Sequence, residues 1–181
     1  MNNITLVVGS MRKGNSAYIS EIINNNFDNV NVFTLGDGIN YCTGCLECDE
    51  IHRCHYRDKM DVILPTLCES DILIIVTPVR YSLMSGDVKV FIDRLNPTAV
   101  SEKLVGKKII AIAIGQTKEE EGTIQDALKS LEMFAANAAM EYVGGFPVYS
   151  CYGNDELEKK TDVVENIIRW LRDKIKDIYG K

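Results

Sequence analysis

Apolar positions along the chain fall into two alternating rhythms. Continuous runs rich in β-branched residues recur as ITLVVGS (Ile4 to Ser10), DILIIVTP (Asp71 to Pro78) and KKIIAIAIG (Lys107 to Gly115). Apolar at nearly every position and ending at glycine or proline, such runs read as strands buried on both faces. NVNVFTL (Asn29 to Leu35) alternates with period two and suits a strand flanking the first, and EYVGGFPV (Glu141 to Val148) supplies a fifth. Between the runs, apolar residues recur at helical spacing. Helices are predicted from Ser16 to about Asn25, from Met60 to Glu69, around Val88, Ile92 and Leu95, from about Gly122 to Ala139, and from roughly Asp155 to Tyr179. The segment from Gly36 to about Lys59 has neither rhythm and reads as a glycine- and cysteine-rich loop.

Strands alternating with helices imply a parallel sheet with helices on both faces, because parallel strands need crossover connections. The prediction is therefore a doubly wound α/β fold in a single domain of 181 residues. Ligands of such sheets bind beyond the carboxyl ends of the strands. That rule selects the loops after Gly9, Leu35, Val76, Ile114 and Val148.

Composition narrows the function. The chain is 46% hydrophobic and 25% charged, with a net charge of −6, which argues against a nucleic-acid partner. The basic cluster from Lys103 to Lys108 reads as a solvated turn before a strand. MNNITLVVGS lacks a basic n-region, and no apolar run approaches membrane-spanning length. A cytoplasmic, reducing location is the expectation, and there clustered cysteines bind metal or do redox work more often than they form disulfides.

The first of the selected loops reads GSMRKGNSAYI, which matches a P-loop except that Asn15 stands where the lysine belongs. Without that lysine the charge needed for triphosphate chemistry is missing, and no strand ends in a clear magnesium-binding aspartate. A strand-to-helix turn still aims backbone N–H groups and a positive helix end at one anion. Ser10, Asn15 and Ser16 add neutral donors and Arg12 a charge, which suits a single phosphate. The plainer reading is an ordinary turn with Ser16 as N-cap.

Cys42, Cys45, Cys48 and Cys54 are spaced C-x2-C-x2-C-x5-C. Zinc sites generally offer two separated pairs. Three cysteines at successive x2 spacings instead match loops that wrap a cubane cluster, and Gly44 leaves the backbone free to do so. Free thiols packing a loop remain the alternative, with zinc or a regulatory disulfide behind them. His52 and His55 flank Cys54 and read as solvated, while Cys68 lies on an apolar helix face and reads as core.

GSxRxGNS after the first strand and TPVRYSLMSGDVKVFIDR after the third together resemble the flavodoxin-like NAD(P)H-dependent FMN reductase family over nearly the whole chain. The resemblance implies a five-stranded parallel sheet in the order 2-1-3-4-5. It implies an FMN phosphate held by Ser10, Arg12, Gly14, Asn15 and Ser16. Pro78, Val79, Arg80 and Tyr81 would lie against the isoalloxazine ring, with Met84 and Ser85 at the following helix start. Gly115, Gln116 and Thr117 would border the ring. The family commonly has tyrosine where Arg80 stands; an arginine near the pyrimidine edge would raise the flavin's two-electron potential, or else it points to solvent or pairs across a subunit interface. Asp93 and Arg94 read as helix-end or interface structure. Cys151, after the fifth strand, reads as a loop thiol in reach of the flavin.

The cysteine spacing also resembles the iron–sulfur flavoprotein subgroup, which implies Cys42, Cys45, Cys48 and Cys54 as ligands of a 4Fe–4S cluster. Cluster-free relatives keep similar cysteines, so loop thiols stay open. The implied function is an FMN-dependent oxidoreductase drawing electrons from NAD(P)H and passing them to a quinone, a free flavin or a metal-type acceptor. With a cluster, a ferredoxin-like protein becomes the electron donor or acceptor. A non-enzymatic flavodoxin-like carrier is the alternative. No Ser-His-Asp or paired-carboxylate constellation competes. The resemblance also implies a homo-oligomer, dimer or tetramer, with no nucleic-acid or membrane partner.

Overall fold

A computed structural model describes residues 3–180. Five strands, β1 (Ile4–Val8), β2 (Val30–Thr34), β3 (Ile72–Pro78), β4 (Lys108–Ile114) and β5 (Glu141–Val148), pair in parallel in the order 2-1-3-4-5. The helices are α1 (Asn15–Asn26), α2 (Glu47–Ile51), α3 (Met60–Glu69), α4 (Gly86–Asp93), α5 (Asn96–Val100), α6 (Thr123–Asn137) and α7 (Thr161–Tyr179). Every residue of β1 is buried, as its unbroken apolar run requires of a strand paired on both sides. The period-two strand β2 lies at an edge and leaves Val32 exposed.

Successive side chains of a strand point to opposite faces, so the sheet splits its apolar residues between two cores. Val7, Leu73 and Ile75 pack with α3, α4 and α6, while Leu6, Ile72 and Ile74 pack with α1 and α7. Burial of these surfaces supplies the main drive to fold, at roughly 25 cal/mol per Å² of apolar area.

Two glycines let loops close on the sheet. A Cβ at Gly9 would lie 2.4 Å from Val88 Cγ2 and 2.7 Å from Ser85 Oγ, so glycine brings the end of β1 against the start of α4. A Cβ at Gly115 would lie 2.8 Å from the Ile124 side chain, which seats the end of β4 against α6.

The structure departs from the sequence expectation in three places. The predicted loop from Gly36 to Lys59 contains α2, and α5 follows α4 after a turn. The last helix begins at Thr161 rather than Asp155, with residues Leu157–Lys159 forming a separate 3₁₀ turn. Lys160, at φ −107° and ψ 63°, leaves the helical region between the two, while Leu157 N–H donates to Asn15 Oδ1 at 2.9 Å and ties the short turn to the start of α1. No helix among the described residues is long and apolar enough to cross a membrane.

Candidate functional site

A cleft of about 270 Å³ opens beyond the carboxyl ends of the strands, where the loops after β1, β3, β4 and β5 converge. The chain leaves β1 toward β2 on one side while β3 lies on the other, so the cleft sits at the switch point of the sheet. Of the residues predicted for the phosphate, Ser10, Arg12, Gly14, Asn15 and Ser16 all line it. The N-cap of α1 is Gly14, not Ser16, and no side chain caps the helix. Its first-turn N–H groups and the positive end of its dipole are left to the cleft.

Asn15 does more than present a donor. Its Nδ2 donates to the Gly153 carbonyl at 2.8 Å while Oδ1 accepts from Leu157 N–H, so the amide ties the loop after β5 to the loop after β1. Where a P-loop would extend a lysine, this chain spends the side chain on loop geometry.

Charge in the cleft has one sign. Arg12 and Arg80 line it, neither forms a salt bridge among the described residues, and no carboxylate is among the lining side chains. In a chain with a net charge of −6, that segregation favours an anionic ligand.

Pro78, Val79, Arg80 and Tyr81 form one wall. Arg80 N–H donates to Leu83 O at 2.9 Å and Leu83 N–H returns to Arg80 O at 3.0 Å, closing a two-residue turn. Its central residues, Tyr81 (φ 49°) and Ser82 (φ 62°), are both left-handed, the mirror-type turn that glycine and asparagine normally fill. Backbone strain of about 1–2 kcal/mol per residue is held here, and the turn presents the Tyr81 side chain fully to solvent.

Met84 and Ser85, expected at the helix start beside the ring, lie behind the cleft wall rather than among its lining residues. Met84 packs against the core on the α4 side. Ser85 is buried, donates from Oγ to Gly9 O at 2.7 Å and accepts from Val88 N–H, capping α4 and locking it to the end of β1. These two residues position the cleft from behind.

Gly115, Gln116 and Thr117 do line it. Cys151 N–H donates to Gly115 O at 2.9 Å and Ser150 N–H to Thr117 O at 3.0 Å, so the last two loops form one unit. Cys151 is buried on the cleft wall, and burial pushes its thiol pKa up. Ser82, Thr123, Tyr152, Gly153 and Asn154 also line the cleft and were not singled out from sequence. The switch-point rule pointed to the loop after Val148, but its residue types carry no motif.

The cysteine loop builds a second cavity of about 640 Å³, lined by Cys42, Cys45, Cys48 and Cys54 together. The loop was expected at the strand rim beside the first cleft. It instead leaves the rim at Gly36, next to Met11, and runs down over the helices. The cavity is walled by the carboxyl ends of α4 and α6 and by α5, and shares no lining residue with the first cleft.

Its neck is tightly bonded. Asp58 accepts from Asn40 N–H at 3.0 Å, Asn40 Nδ2 at 3.1 Å, Met60 N–H at 2.9 Å, and Arg94 Nη1 and Nη2 at 2.7 and 3.3 Å. Burial alone would raise the Asp58 pKa, but the Arg94 guanidinium and these N–H donors overcome it and hold the carboxyl at about 2, against an ordinary 3.8. Arg94 and Asp58 have side chains only 1% and 5% exposed.

Polar groups from the same loop and from α5 reach the sulfurs. Cys42 Sγ accepts from Gly44 N–H at 3.4 Å, Cys48 Sγ from Asn96 Nδ2 at 2.9 Å, and Cys45 Sγ lies 3.3 Å from His55 Nδ1. Among the described residues, one group of three ligand atoms falls within 4.8 Å, that of Cys45, Glu47 and His55. Four thiolates on one zinc at about 2.3 Å would need to be gathered more closely than the four sulfurs are. Cys68, expected in the core, is half-buried, and burial pushes its thiol pKa up.

The NADPH-dependent FMN reductase family matches residues 2–150. The chain belongs to that family. An iron–sulfur flavoprotein of Archaeoglobus fulgidus is 31% identical over 172 residues, covering 89% of this chain and 76% of that protein. One from Clostridioides difficile is 25% identical over 168 residues, covering 88% and 72%. Among solved structures, general stress protein 14 of Treponema denticola in complex with FMN superposes with a TM-score of 0.66 at 12% identity, covering 96% of this chain and 99% of that one. The Trp repressor binding protein of Bacillus subtilis gives 0.65 at 20%, covering 90% and 95%. At those identities the two structures speak for the flavodoxin-like fold alone. Family membership makes this FMN reductase relative an FMN-dependent oxidoreductase.

Proposed function

We propose that this oxidoreductase holds FMN in the first cleft and a 4Fe–4S cluster on Cys42, Cys45, Cys48 and Cys54. It takes electrons from NAD(P)H or a reduced carrier and passes them to a small-molecule or ferredoxin-like partner. What carries this reading is the convergence of all four loop cysteines on one cavity, in a chain whose fold is that of FMN-dependent enzymes. When bound, FMN supplies hydride and single-electron exchange, and the cluster single-electron exchange.

The protein supplies position and charge. The uncapped first turn of α1, with Ser10, Ser16 and Arg12, offers N–H, hydroxyl and guanidinium donors to a phosphate. Pro78 to Tyr81 and Gly115 to Thr117 flank the position left for a ring, and Arg80 brings a cation free of any carboxylate to its edge. Gln116 Nε2, donating to Tyr152 O at 3.4 Å, braces the wall opposite the strained turn. The fully exposed Tyr81 and the exposed Leu83 suit burial against a second copy, and we propose a homo-oligomer of one flavodoxin-like domain. Six free cysteines suit a reducing, cytoplasmic location.

Anaerobic purification followed by flavin, iron and sulfide analysis tests the assignment. Flavin together with iron and sulfide in the ratio of a cubane cluster is expected, with NAD(P)H oxidation accelerated by a quinone. A protein that keeps flavin but holds no iron under those conditions removes the cluster.

A further inference from the structure

Arg94 follows the last turn of α4 and is the largest side chain among the fully buried ones. A buried guanidinium is tolerated only when paired and hydrogen-bonded. Nη1 and Nη2 grip Asp58 in a fork, Nη1 also donates to Asn40 O, and the guanidinium stacks 5.3 Å from the centre of the Tyr56 ring. Nε is buried and has no hydrogen-bond partner among the described residues. The same side chain lines the cavity of the four cysteines, Cys54 included, whereas Asp58 does not. The cation thus shares the cavity with the sulfurs, and its counter-ion does not.

Asn40 and Asp58 bracket the cysteine loop in sequence, so one guanidinium spans its neck. Lysine does not reproduce this, because only the planar fork can hold a carboxylate with one edge and keep an Nε–H for another direction. Asn96, two residues further on, serves Cys48 in a comparable way.

We propose that Arg94 is a positioning residue for the cysteine centre: it closes the loop neck between Asn40 and Asp58 and directs its unpartnered Nε–H to the sulfur of Cys54. The loop half of this inference stands on the protein alone, while the sulfur half rests on the cluster reading above. N–H donors and a cation at the sulfurs stabilise the reduced, more negative state of a cluster, so losing them lowers its potential.

The test uses the full chain, iron-loaded and iron-free, as wild type, Arg94→Lys and the double variant Arg94→Met/Asp58→Leu. The double variant avoids stranding a buried charge, which could unfold the single one. In the iron-free proteins, amide hydrogen exchange at residues 41–57 is expected to rise at least tenfold in both variants, with exchange in β1, β3 and β4 unchanged. In the iron-loaded proteins the one-electron equilibrium is expected to shift at least tenfold toward the oxidised cluster, or 59 mV for one electron. Unchanged loop exchange overturns the neck assignment, and an unchanged potential overturns the sulfur contact. A wild type without iron removes the cluster reading and the sulfur half with it, while the exchange result still decides the neck.

Discussion

Asn15 and Gly153 lie 138 positions apart in the chain, yet the amide of one donates to the carbonyl of the other at 2.8 Å. With Leu157 N–H on Oδ1, the single side chain holds the loop after β5 over the start of α1. Asn15→Leu leaves a buried N–H and a carbonyl unpaired, a loss of about 1–3 kcal/mol in stability. FMN affinity is expected to fall about tenfold or more as the loop loosens, read by quenching of flavin fluorescence. Asn15→Lys, which restores the P-loop pattern, is expected to weaken FMN too, because lysine cannot accept from Leu157 N–H. FMN affinity equal to wild type in both variants would remove the clamp.

Asp58 makes stability depend on pH in a defined direction. Its folded pKa, about 2, lies below the ordinary 3.8, so the folded state favours the ionised form. The contribution is complete well above pH 3.8 and is lost as pH falls through that value toward 2, with a size of about 2 kcal/mol. Asp58→Asn leaves Arg94 buried without its counter-ion and is expected to cost about 3–5 kcal/mol at neutral pH. The gap between wild type and variant should shrink as pH drops from 4 to 2, where wild-type Asp58 also takes up a proton. Urea unfolding across that interval measures it, and a constant gap would contradict the pair.

The strained turn separates stability from function. Ser82 sits at φ 62°, a region glycine enters without a Cβ clash. Ser82→Gly is expected to stabilise the protein by about 0.5–1 kcal/mol. Tyr81 is fully exposed, so Tyr81→Ala is expected to alter stability by less than about 0.5 kcal/mol. The same substitution should nevertheless lower quinone-dependent NAD(P)H oxidation several-fold if the side chain borders the flavin in the position proposed above. Thermal unfolding and steady-state rates on the same samples distinguish the two effects.

The sheet was legible because its strands announce themselves. ITLVVGS and DILIIVTP are apolar on nearly every position, and only a strand covered on both faces makes that favourable. The first cleft was legible through loop position and through Arg12, Gly14 and Ser16, whereas Met84 and Ser85 followed from resemblance and sit behind the cleft wall. The neck of the cysteine loop was not legible at all. Arg94 and Asp58 are 36 positions apart, and an FIDR segment gives no sign that its arginine turns inward to meet a carboxylate in a loop. The start of α7 was not legible either, because apolar spacing runs on through the separate turn at Leu157 and does not show the break in backbone conformation at Lys160. Periodicity reports which face of an element is buried; it does not report which distant polar group a buried one meets.

Arg12 and Arg80 face the same cleft and are expected to act on different parts of its ligand. Arg12 belongs to the loop that leads into α1, so its charge should act on a phosphate. Arg80 belongs to the wall after β3, so its charge should act on the ring. A charge-assisted hydrogen bond is worth about 1.5–3 kcal/mol, and Arg12→Ala should weaken FMN roughly ten- to a hundredfold. Riboflavin, which lacks the phosphate, should bind this variant as it binds wild type. Arg80→Gln should leave the preference for FMN over riboflavin intact. It should instead shift the flavin's two-electron equilibrium about tenfold toward the oxidised form, close to 30 mV, because a cation stabilises negative charge on the reduced ring. Binding titrations with both flavins and a potentiometric titration of each variant resolve the two roles. Equal losses for FMN and riboflavin in Arg12→Ala would place that side chain against the ring rather than the phosphate.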